Sequence, residues 1–196
     1  MAKIFYLMGK SSSGKATIYN RIINDENPGL KTIVGYTTRP MRHGETNGKE
    51  YFFVSPLEMN DLDNAGKVIE KRTYNTVHGP WSYFTVDDEQ VDLERYDYLL
   101  IGTLESYEKV RDYYGKDVVM PIFIEVDDGE RLMRALKREM SQESPKYAEL
   151  CRRFLADAED FSEEKIKRLE INRRFVNDDM DRCIKEIKEF IGENIY

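Results

Sequence analysis

Ile4-Phe5-Tyr6-Leu7-Met8 is an unbroken apolar run, and comparable runs recur at Tyr98–Ile101, Val118–Val126 and Arg174–Val176. Continuous runs of this length predict strands buried on both faces, as in a parallel sheet with helices above and below. Between and after them the apolar positions return with a helical period, which predicts helices over Lys15–Asn24, Leu104–Tyr114, Gly129–Met140, Tyr147–Glu159 and Met180–Ile191. Strand and helix alternate, so right-handed crossovers and a doubly wound α/β sheet are expected.

Two stretches fall outside that rhythm. Tyr36–Thr85 is rich in Gly, Thr, Arg and Tyr, and Asp128–Phe161 is helical but densely charged. Insertions at the ligand-binding edge of such a sheet commonly form binding lobes and lids. The expected division is a core of residues 1–34, 86–127 and 162–196, an inserted lobe at 35–85 and a lid at 128–161. Ser162-Glu163-Glu164-Lys165 reads as a solvated helix start with a capping-box pattern.

Composition narrows the class. A chain of 196 residues suits one compact α/β unit. A formal net charge of −7 argues against a broad face for nucleic acid or anionic membrane. No stretch approaches the roughly 20 apolar residues of a membrane span. The short N-terminal run lacks the features of a signal peptide, so a cytoplasmic protein is expected, as monomer or dimer. Cys151 and Cys183 lie far apart and read as packing residues in a reduced compartment. His43 and His78 sit in glycine-containing loops without metal-ligand spacing, and no residue is assigned to a metal. The aromatic residues Tyr6, Phe52, Phe53, Trp81 and Phe84 read as core, and Asp127-Asp128 as a helix cap.

The sharpest chemical signal is Gly9-Lys10-Ser11-Ser12-Ser13-Gly14-Lys15, placed after a strand and before a helix. That is the context of a phosphate-binding loop of Walker A type. Its glycines let successive backbone N–H groups converge on one anion, and the helix start adds positive potential. Lys15 can then bridge the β- and γ-phosphates of a nucleoside triphosphate. The position that normally supplies a Mg²⁺-binding hydroxyl is Ala16, with Thr17 one residue, about 100° of helix, further on.

Downstream, Thr37-Thr38-Arg39-Pro40-Met41-Arg42-His43-Gly44-Glu45 leads to Tyr51-Phe52-Phe53. Arg39 and Arg42 can offer two guanidinium forks to one phosphate, Tyr51 can add a donor, and Glu45 can orient an arginine. This segment resembles the guanylate kinase pattern T-T-R-x-x-R-x-G-E-x-x-G-x-x-Y-x-F. With the upstream loop and Val176-Asn177-Asp178-Asp179, the resemblance extends over nearly the whole chain.

The resemblance implies a P-loop NTPase-type parallel sheet flanked by helices, with inserted monophosphate-binding and lid segments. It also implies ATP-dependent phosphorylation of GMP or dGMP, with Mg²⁺. ATP would be held by Gly9, Ser11, Ser12, Ser13, Gly14, Lys15, Ala16, Thr17 and Asn177. GMP would be held by Thr38, Arg39, Arg42, Glu45, Tyr51, Glu70, Tyr83, Thr85 and Thr103, with Glu70 reading the base. Lys15, Arg134, Arg138 and Arg153 would neutralise charge during transfer. The chain departs from the pattern at Gly35, where serine is frequent, and at Phe84 in place of glycine. It departs again at Ile101 and Thr103, which fall on two aspartate positions. Two other readings stay open: a different monophosphate acceptor such as IMP, and a non-catalytic binding module with this fold.

Overall fold

The computed structural model describes residues 2–76 and 79–195. In chain order the elements are β1 (Ile4–Gly9), α1 (Lys15–Ile23), β2 (Lys31–Thr32), β3 (Tyr36–Thr37), β4 (Phe52–Phe53), α2 (Pro56–Asn64), β5 (Val68–Thr76) and β6 (Gly79–Val86). They continue with β7 (Tyr98–Gly102), α3 (Leu104–Tyr114), β8 (Val119–Glu125), α4 (Asp128–Met140), α5 (Tyr147–Asp160), α6 (Glu163–Arg168), β9 (Arg174–Val176) and α7 (Met180–Asn194).

The apolar runs form a parallel sheet in the order β2-β7-β1-β8-β9. Alternation along β1 divides the core. Ile4, Tyr6 and Met8 pack on one side with Leu104, Tyr107, Phe161 and Ile166, whereas Phe5 and Leu7 pack on the other with Ile18, Ile22, Ile187 and Phe190. Residues two apart on a strand share a face, which is why one apolar run can supply both layers. The carboxyl ends of β1, β7, β8 and β9 therefore open on one edge, where α/β sheets bind ligands.

Residues 35–85, expected as an inserted lobe, carry most of a second sheet in the order β4-β3-β6-β5, together with α2. Its longest strand, Val-Ile-Glu-Lys-Arg-Thr-Tyr-Asn-Thr, is polar on both faces, so it shows neither strand alternation nor a helical period. Its order comes from antiparallel pairing with β6 and packing against α3, both remote from local sequence preference.

Ser162 precedes α6, but its side chain makes no cap bond. Cys183 is buried, whereas Cys151 is exposed and does not serve the packing role expected of it. Tyr6 and Phe84 are core residues; Phe52, Phe53 and Trp81 are half-buried. No helix among the described residues is long and apolar enough to cross a membrane.

Candidate active site

Between β1 and α1 the chain turns through Ser12 at φ 62° and Gly14 at φ 87°. A Cβ on Gly14 would lie 2.4 Å from Asn177 Nδ2, so both the left-handed backbone and the close approach require glycine. Asn177 is buried and donates from Nδ2 to the Ser13 carbonyl at 2.8 Å. Asn177, expected among the ATP-holding residues, thereby ties the segment after β9 to the loop. The buried hydroxyl oxygens of Ser12 and Ser13 have no partner among the described residues, although buried polar groups are nearly always paired. Lys15 donates to the Lys10 carbonyl at 3.3 Å. Burial lowers its pKa; the Asp157 carboxylate opposes that shift, while Arg153, Arg131 and Arg138 reinforce it. Ala16 and Thr17 are exposed on the first turn of α1.

Asp157 and Arg131 complete this end and were not singled out from the sequence as site residues. Asp157, on α5, accepts from Ser11 N at 2.9 Å and from Ser11 Oγ at 3.2 Å, and pairs with Arg131 Nη1 at 2.9 Å. Arg131 is 1% exposed, donates to the Ser11 carbonyl at 3.1 Å and lies over the Phe154 ring at 4.2 Å. Asp127 caps α4 by accepting from Gly129 N and Glu130 N, as expected, while Asp128 pairs with Arg131 and Lys10.

On the second sheet, Arg39 is buried and its fork is engaged by Glu45, with Nη1 and Nη2 at 2.9 and 2.8 Å from the two carboxylate oxygens. Arg39 also donates to the Pro40 carbonyl at 2.8 Å. These bonds use three of its five N–H groups and leave Nε–H and one Nη2–H to a ligand. Glu45 orients the arginine as expected, and these hydrogen bonds hold its pKa down at about 2. Tyr51 lies edge-on to Tyr83, with ring centroids 5.7 Å apart. Burial raises the Tyr51 pKa.

Glu70 is buried and lies opposite Thr85 in the β5–β6 ladder, and Thr85 Oγ1 donates to its Oε1 at 2.9 Å. The sheet thus brings these two expected base-site residues together. Two other expected hydroxyls also accept backbone N–H groups. Thr38 Oγ1 accepts from Ser82 N at 2.9 Å, which ties two strands. Thr103 Oγ1 accepts from Ser106 N at 3.2 Å as the N-cap of α3. Phe84 is buried against Tyr36 in the sheet interior, which accounts for its bulk where glycine is usual. Gly35 has room for a Cβ, the nearest atoms being 3.6 Å away.

A cleft of about 1000 Å³ is lined by Ser11, Ser12, Arg42, Trp81, Arg138 and Arg153 among others, whereas Lys15, Tyr51, Glu70 and Thr85 are not part of its lining. Arg134 is separate from it: Nε pairs with Glu130 at 3.0 Å and Nη2 donates to the Asn177 carbonyl at 3.1 Å. Among the described residues no group of three or more His, Cys, Asp and Glu side chains could hold a metal ion, and His78 lies outside those residues.

A glycine loop that turns a buried strand into a helix, with a half-buried lysine beside it, places this chain among P-loop nucleotide-binding α/β proteins. A family profile for guanylate kinase matches residues 1–194, and the chain belongs to that family. It is 30% identical over 160 residues to the guanylate kinase of Symbiobacterium thermophilum, covering 81% of this chain and 71% of that relative. A shorter stretch of 67 residues is 39% identical to the guanylate kinase of Rhodopseudomonas palustris, which is 34% of this chain and 30% of that relative's length. The crystal structure of guanylate kinase from Anaplasma phagocytophilum superposes with a TM-score of 0.68 at 22% identity, over 99% of this chain and 86% of that one, a likeness of fold.

Proposed function

We propose that this chain transfers the terminal phosphoryl group of ATP directly to GMP or dGMP. The observation that carries the reading is one cleft lined by Ser11 and Ser12 of the phosphate loop together with Arg42, Arg138 and Arg153. Two anionic groups bound at its ends would be brought within reach of in-line transfer, and positioning with charge neutralisation is what that chemistry needs.

The unpartnered hydroxyls of Ser12 and Ser13, the N–H groups of the loop and Lys15 suit the triphosphate. Arg42 and Tyr51 suit the acceptor's phosphate, with Arg39 and Glu45 fixing the turn that carries Arg42. Glu45 does so through the Arg42 N–H, which donates to Oε2 at 2.7 Å. Arg138 and Arg153 close the cleft over the transferring group. Residues 35–85 then act as the acceptor lobe and 128–161 as the lid, in a cytoplasmic enzyme of purine nucleotide metabolism. Mg²⁺ would enter on the ATP oxygens, since Ala16 offers it no hydroxyl and octahedral Mg²⁺ keeps several waters readily.

A coupled ADP-release assay across the nucleoside monophosphates tests the reading. GMP and dGMP should be turned over, and Lys15→Met should abolish transfer while acceptor binding persists. A wild type that releases no ADP with any monophosphate would refute it.

A further inference from the structure

Arg72, which belongs to no sequence motif, lies opposite Tyr83 and is paired with Glu70. Glu70, Arg72 and Tyr74 alternate along β5 and pair with Thr85, Tyr83 and Trp81 of β6, so Arg72 stands among the residues proposed to hold the acceptor. Its side chain is 15% exposed and that of Glu70 is 1% exposed. Arg72 Nε donates to Glu70 Oε2 at 2.9 Å and Nη2 donates to Oε1 at 3.1 Å. Arg72 Nη1 donates to Thr103 Oγ1 at 3.3 Å.

The hydrogen-bond inventory of this cluster departs from that of a free carboxylate. Glu70 already accepts from Arg72 twice and from Thr85 once. A carboxylate has about four acceptor sites, so it cannot also take both the N1–H and the 2-amino group of guanine. A guanidinium has five N–H groups, and three have the partners just named, which leaves one N–H on each terminal nitrogen. The face therefore offers a pair of donors where an unpaired glutamate would offer acceptors.

We infer that Arg72 is a specificity-determining residue that reads the O6 and N7 acceptors of a 6-oxopurine monophosphate, so that the site selects for the 6-oxo group and is indifferent to the 2-amino group. The inference rests on the proposed acceptor site. Arginine matches O6 and N7 as a bidentate pair, whereas adenine sets a 6-amino donor against it. Hypoxanthine carries the same O6 and N7 as guanine and lacks only the 2-amino group. Had Glu70 been free to read that group, removal of it would leave buried acceptors unpaired, a defect that can cost about 10⁴-fold or more.

The test is calorimetric titration of GMP, IMP and AMP into the wild type, Arg72→Ala and Arg72→Lys, with ADP release measured in parallel. The wild type should bind GMP and IMP within about tenfold of each other and AMP at least about a hundredfold more weakly. Arg72→Ala should weaken GMP and IMP alike by at least about tenfold and leave ATP binding unchanged, and Arg72→Lys, which keeps the charge but not the fork, should fail to restore them. An IMP affinity more than about tenfold below that of GMP overturns the inference, as does a folded Arg72→Ala protein with wild-type affinity for both. The wild-type ratio needs no substitution, so a variant that failed to fold would not remove the test. Binding of this pattern without ADP release would sink the kinase assignment and leave the reading of Arg72 standing.

Discussion

Asp157→Asn isolates a competition built into the phosphate loop. The carboxylate occupies the Ser11 N–H at 2.9 Å and the Ser11 hydroxyl at 3.2 Å, two donors that a bound triphosphate would seek. A hydrogen bond to a charged group contributes about 1.5–3 kcal/mol, and Asn keeps an acceptor oxygen while losing the charge. If half of that contribution disappears, ATP displaces about 0.75–1.5 kcal/mol less, which is roughly a three- to twelvefold tighter Kd. Arg131 loses a charged partner in the same step. It keeps Asp128, with Nε at 3.1 Å, so the protein should be less stable by about 1–2 kcal/mol rather than the 3–5 of a stranded buried charge. Asp157 is also the charge that opposes the depressed pKa of Lys15, so the alkaline limb of kcat/KM for ATP should move to lower pH in the variant. Titration with a non-hydrolysable ATP analogue, a thermal melt and the pH profile read these three effects. Weaker analogue binding in a folded Asp157→Asn protein would refute the reasoning, because the carboxylate would then be shaping the loop for ATP instead of competing with it.

Ala16→Ser should lower the free Mg²⁺ needed for half-maximal rate without raising the rate at saturating Mg²⁺, since it returns an oxygen ligand at the start of α1; an unchanged Mg²⁺ titration would show that the position does not face the metal. Gly102→Ala should destabilise the fold by about 1–3 kcal/mol through overpacking. The added Cβ would lie 2.0 Å from the Tyr6 hydroxyl, which is buried and 2.6 Å from Ser106 Oγ, and a melting temperature equal to wild type would contradict that. Glu45 has a folded pKa of about 2 against an ordinary value of 4.5, so its stabilising effect is complete above pH 4.5 and is lost as pH falls toward 2. Acid unfolding of Glu45→Gln should accordingly be less steep over that interval than that of the wild type, and identical slopes would count against it.

What the sequence determined by itself is the part governed by local pattern. The buried strands, the helix starting at Lys15 and the helix Leu104–Tyr114 were legible because apolar periodicity and burial coincide there. The phosphate loop was legible because glycine and lysine at fixed spacing have few other uses. Tertiary structure decided which polar groups remain free to meet a ligand. Arg39 has part of its fork taken by Glu45, which its turn brings onto it. Thr103 both caps α3 and accepts from Arg72, which neither segment's sequence announces. Arg72 and Asp157 carried no motif and acquired roles only when strand pairing and the α4–α5 packing set them beside Glu70 and Ser11. A side chain's residue type fixes how many hydrogen bonds it can make, but its partners come from segments remote in sequence, and only the folded chain determines which of those bonds are already spent.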